Sequence, residues 1–221
     1  MFQSAFMKED QQSLQDLQHI KQMMERSSRF ISLSGLSGIA AGVCALVGAW
    51  VAFDYVVGNK DYIINRKLAI EQSNANDYGI LFNTTLFWIA AATFVAALIS
   101  AFIFTWIKSK KQGIPIWGNS AKRLMVNVSV PLLAGGIYLL HLIHLGTFGL
   151  VAPGCLIFYG LALVNASKYT LDELRYLGYL EILLGIINLQ FTGYGIYFWA
   201  FGFGVLHIIY GAYMWKKYER N

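Results

Sequence analysis

Two ionisable residues lie inside apolar stretches of the sequence, where they could exchange a proton. Glu181 lies in an apolar run at 171–190, and His207 lies in a second run at 195–215. Measured from the basic ends of these runs at about 1.5 Å per helical residue, Glu181 is roughly 8 Å deep and His207 about 12 Å deep. Because the two depths agree within one helical turn, we predict that Glu181 and His207 meet.

This predicted pair has two interpretations. Ionisable side chains are costly in a lipid environment, so a carboxyl and an imidazole can simply satisfy one another between helices. Alternatively, the pair acts as a protonation switch or proton relay, since histidine changes charge near physiological pH. The sequence leaves both interpretations open.

A second candidate site involves His141 and His144, which are three residues apart on one helical face. Two imidazoles at this spacing can bind one metal ion, and Asp54 could add a carboxylate from another apolar run. Since His141 is more than about 10 Å from Glu181 and His207 in depth, the four residues cannot share one ion. The alternative is that these histidines only bond to neighbouring carbonyl groups.

The other reactive or polar residues are not part of a recognisable catalytic or metal-binding motif. The sequence contains no GxSxG, HExxH or Walker-type motif, and Cys44 and Cys155 have no metal or redox spacing. We predict that Asn127, Asn165 and Asn188 make hydrogen bonds between helices. The sequence therefore predicts no cofactor.

The amino-acid composition predicts the secondary structure that carries these residues. Of the 221 residues, 57% are hydrophobic and only 13% are charged, whereas a soluble domain has about 25% charged residues. This composition excludes a disordered chain, a disulfide-rich secreted scaffold and an ordinary soluble enzyme. Apolar runs of near-membrane length predict an all-α polytopic membrane protein, a bundle of six transmembrane helices. The predicted spans are 30–57, 80–107, 124–145, 148–166, 171–190 and 195–215.

The positions of the basic residues predict the orientation of this bundle. Fourteen of the 17 lysines and arginines lie before the first span, in the second connection, in or just after the fourth connection (Lys168 and Arg175), and in the tail at 216–221. The remaining three are Lys60, Arg66 and Lys67 in the first connection. By the positive-inside rule both termini are cytoplasmic, and the net charge of +5 reports orientation and not a nucleic-acid partner.

Residues 1–29 are too polar for a signal peptide, and we predict a cytoplasmic segment there. Within it, Leu14, Leu17, Ile20 and Met24 recur at helical spacing, which predicts a short amphipathic helix over 13–24. Such a helix anchors the chain at the membrane surface, or it contacts a cytoplasmic partner or a second copy of the chain.

Small residues recur at helical spacing in two of the predicted spans. Ser34, Gly38 and Gly42 form a small-xxx-small face, and Gly178 and Gly185 lie seven residues apart. Faces of this kind let two helix backbones approach closely in a membrane. A backbone-lined substrate path is the alternative to helix packing.

Several segments of the sequence resemble a family of small uncharacterised polytopic bacterial membrane proteins. The resemblance is carried by residues 156–163, Lys168-Tyr-Thr170, Arg175-Tyr-Leu-Gly178, Gly202-Phe-Gly204 with His207, and 28–35 at the entry of the first span. It implies a location in the bacterial inner membrane and no known activity, so no residue role follows from it.

Because the sequence carries no catalytic motif and its main polar feature is the Glu181–His207 pair, it favours a non-enzymatic binding, sensing or scaffold protein. The alternative is a small, proton-coupled transporter that uses Glu181 and His207. A metal-dependent intramembrane enzyme is the third hypothesis.

Overall fold

The computed structural model describes residues 34–58, 85–113 and 117–220, and helices joined by short turns account for nearly all of them. The first five helices are α1 (Gly35–Gly58), α2 (Thr85–Gln112), α3 (Asn119–His144), α4 (Val151–Ala166) and α5 (Leu174–Gln190). The last helix, α6, has three consecutive segments: Gly195–Trp199, the π-helical Ala200–Leu206, and His207–Tyr218. Short 3₁₀ turns at Phe148–Leu150 and Thr192–Tyr194 precede α4 and α6.

The all-α prediction is confirmed, because the described residues form helices and no strand. Five helical stretches are long and apolar enough to cross a membrane: Gly35–Gly58, Thr85–Gln112, Asn119–His144, Phe148–Ala166 and Thr192–Tyr218. The remaining helix, α5, has 17 residues, which is about 25 Å at 1.5 Å per residue.

Three helix ends extend beyond the predicted spans by three residues or more. The helix α2 continues to Gln112 and not only to 107, α3 begins at Asn119 and not at 124, and α6 continues to Tyr218, into the predicted tail. These extensions carry lysine and arginine residues, whose long side chains can reach water while the backbone stays helical.

The predicted amphipathic helix at 13–24 and most of the first connection lie outside the described residues.

The surface of the bundle is more apolar than much of its interior. Large side chains such as Trp50 and Ile137 are 70% and 71% exposed, whereas many buried residues are alanine, serine, threonine or glycine. In water such a surface would cause aggregation. In a bilayer it is expected, because lipid solvates large apolar side chains and small residues let the helices pack closely.

The helices pack in a row with α2 and α3 at its two ends. The helix α2 packs extensively only against α1, and α3 packs mainly against α4. Between them, α1 packs against α6, and α4 makes the most extensive contact of the bundle with α5. The start of α6 contacts α4, and its π-helical segment lies against α1 and α5. The three helices α4, α5 and α6 therefore enclose one common interior.

The first stripe of small residues lies at the contact between α1 and α6. A Cβ atom added to Gly42 would lie 2.7 Å from the carbonyl oxygen of Gly204. One added to Gly38 would lie 3.2 Å from the Cα atom of Gly211. Ser34, at the start of the stripe, is buried. The two backbones approach this closely because glycines from both helices lie at the crossing.

The second stripe lies between α4 and α5. A Cβ atom on Gly178 would be 2.7 Å from the carbonyl oxygen of Gly160, and one on Gly185 would be 2.9 Å from that of Pro153. Conversely, a Cβ atom on Gly160 would be 2.6 Å from the carbonyl oxygen of Gly178. This reciprocal contact fixes how closely α5 approaches α4.

A polar cluster joins the ends of α1, α2 and α6. The carboxylate of Glu219 accepts hydrogen bonds from the Gly35 backbone N–H (2.6 Å) and from the Ser34 hydroxyl (3.1 Å), and thus caps the start of α1. It also pairs with the ammonium group of Lys108 at 3.2 Å, and both side chains are mostly buried. Glu219 therefore ties three helices together at one end of the bundle.

A second, more exposed pair lies at the same end. Glu173, directly before α5, accepts hydrogen bonds from Lys217 and from the Tyr218 hydroxyl, both on α6. Partial burial raises the pKa of Glu173, but the hydrogen bonds from Lys217 and Tyr218 outweigh it and hold that pKa below its ordinary value. Glu173 is therefore ionised at neutral pH and links α5 to α6.

The Gly178 contact predicts a specific loss of stability. We expect Gly178→Ala to lower the free energy of unfolding in detergent by about 1–3 kcal/mol, since its methyl group overlaps the backbone of α4. Gly136→Ala on α3 is the matched control, because a Cβ atom there meets nothing within 4 Å. Thermal unfolding of both variants measures the difference; equal midpoints would contradict the close packing of α4 and α5.

The two ion pairs predict unequal costs. We expect Glu219→Ala to lower stability by about 3 kcal/mol, because it removes one partner of a mostly buried ion pair together with the cap of α1. Glu173→Ala removes a carboxylate from a pair with an exposed lysine, and should cost about 1 kcal/mol or less. Chemical unfolding in detergent measures both; a larger cost for Glu173→Ala would contradict the assignment of the Glu219 cluster.

Candidate functional site

The helix α5 presents one polar residue to the interior beside its glycines. Its buried residues include Gly178, Glu181, Gly185 and Asn188, which recur at spacings of three and four and therefore share one face. This face packs against α4 and α6. Glu181 has no solvent exposure at all, so the glycines that bring the helices together also seal its carboxyl group inside.

The helix α6 places His207 directly after its π-helical segment. The imidazole Nδ1 lies 3.0 Å from the carbonyl oxygen of Gly202, five residues earlier. Because a carbonyl oxygen can only accept, Nδ1–H is the donor, and this fixes the proton on Nδ1. π-Helical turns are rare and are often found at functional sites.

The helix α4 contributes Tyr159, whose hydroxyl lies 2.7 Å from Nε2 of His207. Its ring packs at 5.4 Å from the His207 ring and 5.1 Å from the Phe203 ring. With Nδ1 protonated, a neutral His207 accepts the hydrogen bond from Tyr159 at Nε2. Tyr159 and Gly202 therefore hold the imidazole at both nitrogens.

Glu181 lies beside this imidazole, with its Oε1 atom 3.5 Å from Nδ1. Neither carboxyl oxygen has a hydrogen-bond partner among the described residues. Gly202 makes room for the group, since a Cβ atom there would lie 2.6 Å from Oε2 of Glu181 and 2.6 Å from a methyl group of Leu156. The carboxyl thus occupies a pocket with apolar walls and a histidine at its edge.

This arrangement restricts where protons can reside. A lone carboxylate in an apolar interior is very costly. The inexpensive states are therefore those without net charge: a carboxylic acid beside neutral His207, or a carboxylate beside protonated His207. In the second state Nε2–H donates to the Tyr159 oxygen. The Glu181–His207 pair can therefore hold one proton without net charge.

Tyr159 was not among the predicted site residues, although a signal for it exists. It lies seven residues before Ala166, the end of α4, hence roughly 10 Å from that end at 1.5 Å per residue. This depth lies between those estimated for Glu181 and His207. Applying the same count to tyrosines would have brought all three residues to one level.

The structure does not bring the three residues of the predicted outer metal site into one ligand group. The rings of His141 and His144 lie 6.1 Å apart and stacked on α3, whereas Asp54 is on α1, which packs on α2 and α6 and makes no extensive contact with α3. Within the described segments, no group of three His, Cys, Asp or Glu side chains could hold a metal ion. Metal binding by the two histidines stays a prediction.

The predicted interhelical hydrogen bonds are only partly correct. Asn165 on α4 donates to the carbonyl oxygen of Asn127 on α3 at 2.8 Å, which confirms this pair. Asn188 instead donates to the carbonyl oxygen of Phe191 at 3.0 Å and so satisfies the end of its own helix. Position inside an apolar run did not distinguish the two cases.

Comparison with known proteins adds nothing to this site. No protein-family model matches the chain, and no curated protein or solved structure matches it. The structure thus defines a class only: an all-helical protein with helices able to cross a membrane and a buried Tyr–His–Glu cluster.

The hydrogen bond of Tyr159 can be tested against a matched tyrosine. We expect Tyr159→Phe to lower stability in detergent by about 1–3 kcal/mol, because Nε2 of His207 then loses its partner in a buried site. Tyr210→Phe is the control, since the buried Tyr210 hydroxyl has no hydrogen-bond partner among the described residues; its removal should be neutral or stabilising. Equal losses in both variants would exclude a special role for the Tyr159 hydroxyl.

Proposed function

We propose that this chain is a six-span membrane protein that senses protonation through Glu181 and His207. The observation that carries the proposal is the fully buried Glu181 carboxyl, which has no hydrogen-bond partner among the described residues and lies 3.5 Å from His207. Intramembrane ionisable groups are costly, so a pair retained between three helices is a candidate proton site.

Gain or loss of this proton would change how α5 and α6 pack. With one proton on the pair, protonated His207 attracts the Glu181 carboxylate by charge. Gain of a second proton would leave protonated His207 beside a neutral carboxylic acid, and loss of the proton would leave a carboxylate beside neutral His207, so the attraction between two opposite charges is lost in either case. Tyr159 from α4 is the titratable group in contact with His207, and Tyr210 on α6 lies close enough to Tyr159 to interact with it electrostatically. Since Gly202 lies between His207 and Glu181, the π-helical segment is the part of α6 that would respond.

The membrane setting belongs to the same proposal. We propose that α5 crosses the membrane as the sixth span, that both termini are cytoplasmic, and that the protein resides in a bacterial inner membrane. The basic residues near the joined ends of α1, α2 and α6 support this orientation. Residues 13–24 would then anchor the chain or contact a cytoplasmic partner or a second copy.

A proton-coupled transporter is the second candidate. It is favoured by an apolar cavity of about 540 Å³ whose wall includes Trp199. The Trp199 ring packs against Phe203 at 5.4 Å, and Phe203 packs against His207 at 6.1 Å. A substrate in the cavity would thus lie two aromatic contacts from the proton pair. A metal-dependent enzyme has no comparable support, because the described residues form no three-ligand group.

The proton site predicts a specific infrared signal. We expect purified wild-type protein, compared between about pH 5 and pH 8, to show a carboxylic-acid band that titrates and that is absent in Glu181→Gln. We also expect amide hydrogen exchange across residues 200–206 to depend on pH beyond its intrinsic rate in wild type, and to lose this dependence in Glu181→Gln. Glu173→Gln, which removes a partly buried carboxylate directly before α5, should behave as wild type.

Two measurements distinguish a purely structural pair, a proton sensor and a proton-coupled transporter. If wild type and Glu181→Gln respond identically across this pH range, the proton switch is excluded and the pair is structural only. Proton flux in proteoliposomes that is abolished by Glu181→Gln would favour the transporter over a sensor, whereas a pH-dependent change in exchange without flux would favour the sensor.

A further inference from the structure

A cavity separate from the Glu181 site lies between α1, α2, α4 and the start of α6, with a volume of about 540 Å³. This is within the range of about 300–1,000 Å³ that is typical of ligand sites. The space exists because small residues line it where larger side chains would fill it. These include Gly48, Ala52, Ala90, Ala152 and Gly195.

The wall of this cavity suits an apolar occupant. None of the described residues that line it is charged. The Thr93 hydroxyl, which faces the cavity, already donates to the carbonyl oxygen of Ile89 at 2.7 Å. The wall also carries the Cys155 thiol and the large ring of Trp199. Binding there would rely on dispersion and burial of apolar surface, with little polar selection.

The described helices leave one side of the cavity without close packing. The helix α2 packs extensively only against α1, and α4 packs against α3, α5 and α6. Among residues 34–58, 85–113 and 117–220, no extensive contact therefore closes the side between α2 and α4. The outer face of α2 carries exposed residues such as Phe94 and Leu98, which would contact lipid. An occupant that enters from this side comes from the hydrocarbon layer.

We propose that this cavity binds one acyl chain of a membrane phospholipid. The apolar wall and its place between helices long enough to cross a membrane point to a hydrocarbon chain. The proposal does not use Glu181 or His207, so it can fail without affecting the proton site.

Photo-cross-linking tests this directly in wild-type protein. The full chain is reconstituted into phosphatidylcholine vesicles that contain a phosphatidylcholine with a diazirine near the end of one acyl chain. After illumination, we expect cross-links to concentrate on residues 48–52, 152–155 and 195–199, and to decrease several-fold when unlabelled phospholipid is added in excess. Cross-links confined to exposed faces such as Phe94 and Leu98, or an absence of competition, would overturn the proposal.

A matched pair of variants provides an independent measure. Ala52→Phe places a ring in the cavity, whereas Ala96→Phe places the same ring on the exposed side of α2. We expect Ala52→Phe to lose most cross-links at 152–155 and Ala96→Phe to keep them. Equal labelling in both variants, each shown to be folded by thermal unfolding, would overturn the proposal. If Ala52→Phe does not fold, the competition result in wild type decides alone.

Cysteine labelling adds a second readout. In a Cys44→Ser background, Cys155 is the remaining thiol and lies on the cavity wall. We expect N-ethylmaleimide to react with Cys155 several-fold more slowly in phospholipid vesicles than in a short-chain detergent, because the acyl chain covers it. Reaction at the same rate in vesicles and in detergent would contradict occupancy by lipid.

Discussion

The cost of keeping the Glu181 carboxyl away from water is the constraint on which the interior of this bundle depends. No hydrogen bond satisfies it among the described residues, so its charge can be balanced only by His207, 3.5 Å away. His207 is in turn held by Tyr159 on α4 and by the carbonyl of Gly202 on α6. One buried acid thus requires three helices to keep a precise relative position.

The glycine contacts meet that requirement without a large apolar core. At the Gly178–Gly160 crossing, backbone meets backbone, so α4 and α5 have little freedom to slide. Gly202 serves the site itself, since any side chain there would occupy the space of the Glu181 carboxyl. In lipid, where large apolar side chains gain little from leaving the surface, close backbone contact of this kind is a main source of helix association.

The two ends of the bundle differ in how tightly they are joined. At one end, Glu219 caps α1 and pairs with Lys108, so that α1, α2 and α6 are held by charge and hydrogen bonds. Towards the other end, α2 and α4 are separated by the apolar cavity. Trp199 lines this cavity and contacts Phe203 beside His207. The proton site therefore lies between a closed polar end and a more open apolar one.

The apolar runs were enough to predict helices, because backbone groups in lipid must pair internally. Since the helix rise converts sequence position into depth, the sequence also predicted that Glu181 and His207 lie at similar depths. Depth does not determine which helices are neighbours. Depth therefore does not show that Asp54 lies on a helix without extensive contact to the His141–His144 helix, or that Tyr159 faces His207. The Lys108–Glu219 pair joins residues 111 positions apart, and only the packing of α1, α2 and α6 brings such residues together. Sequence spacing determines the contents of one helix face; the tertiary structure decides what that face meets, since contacts between helices depend on side chains far apart in the chain.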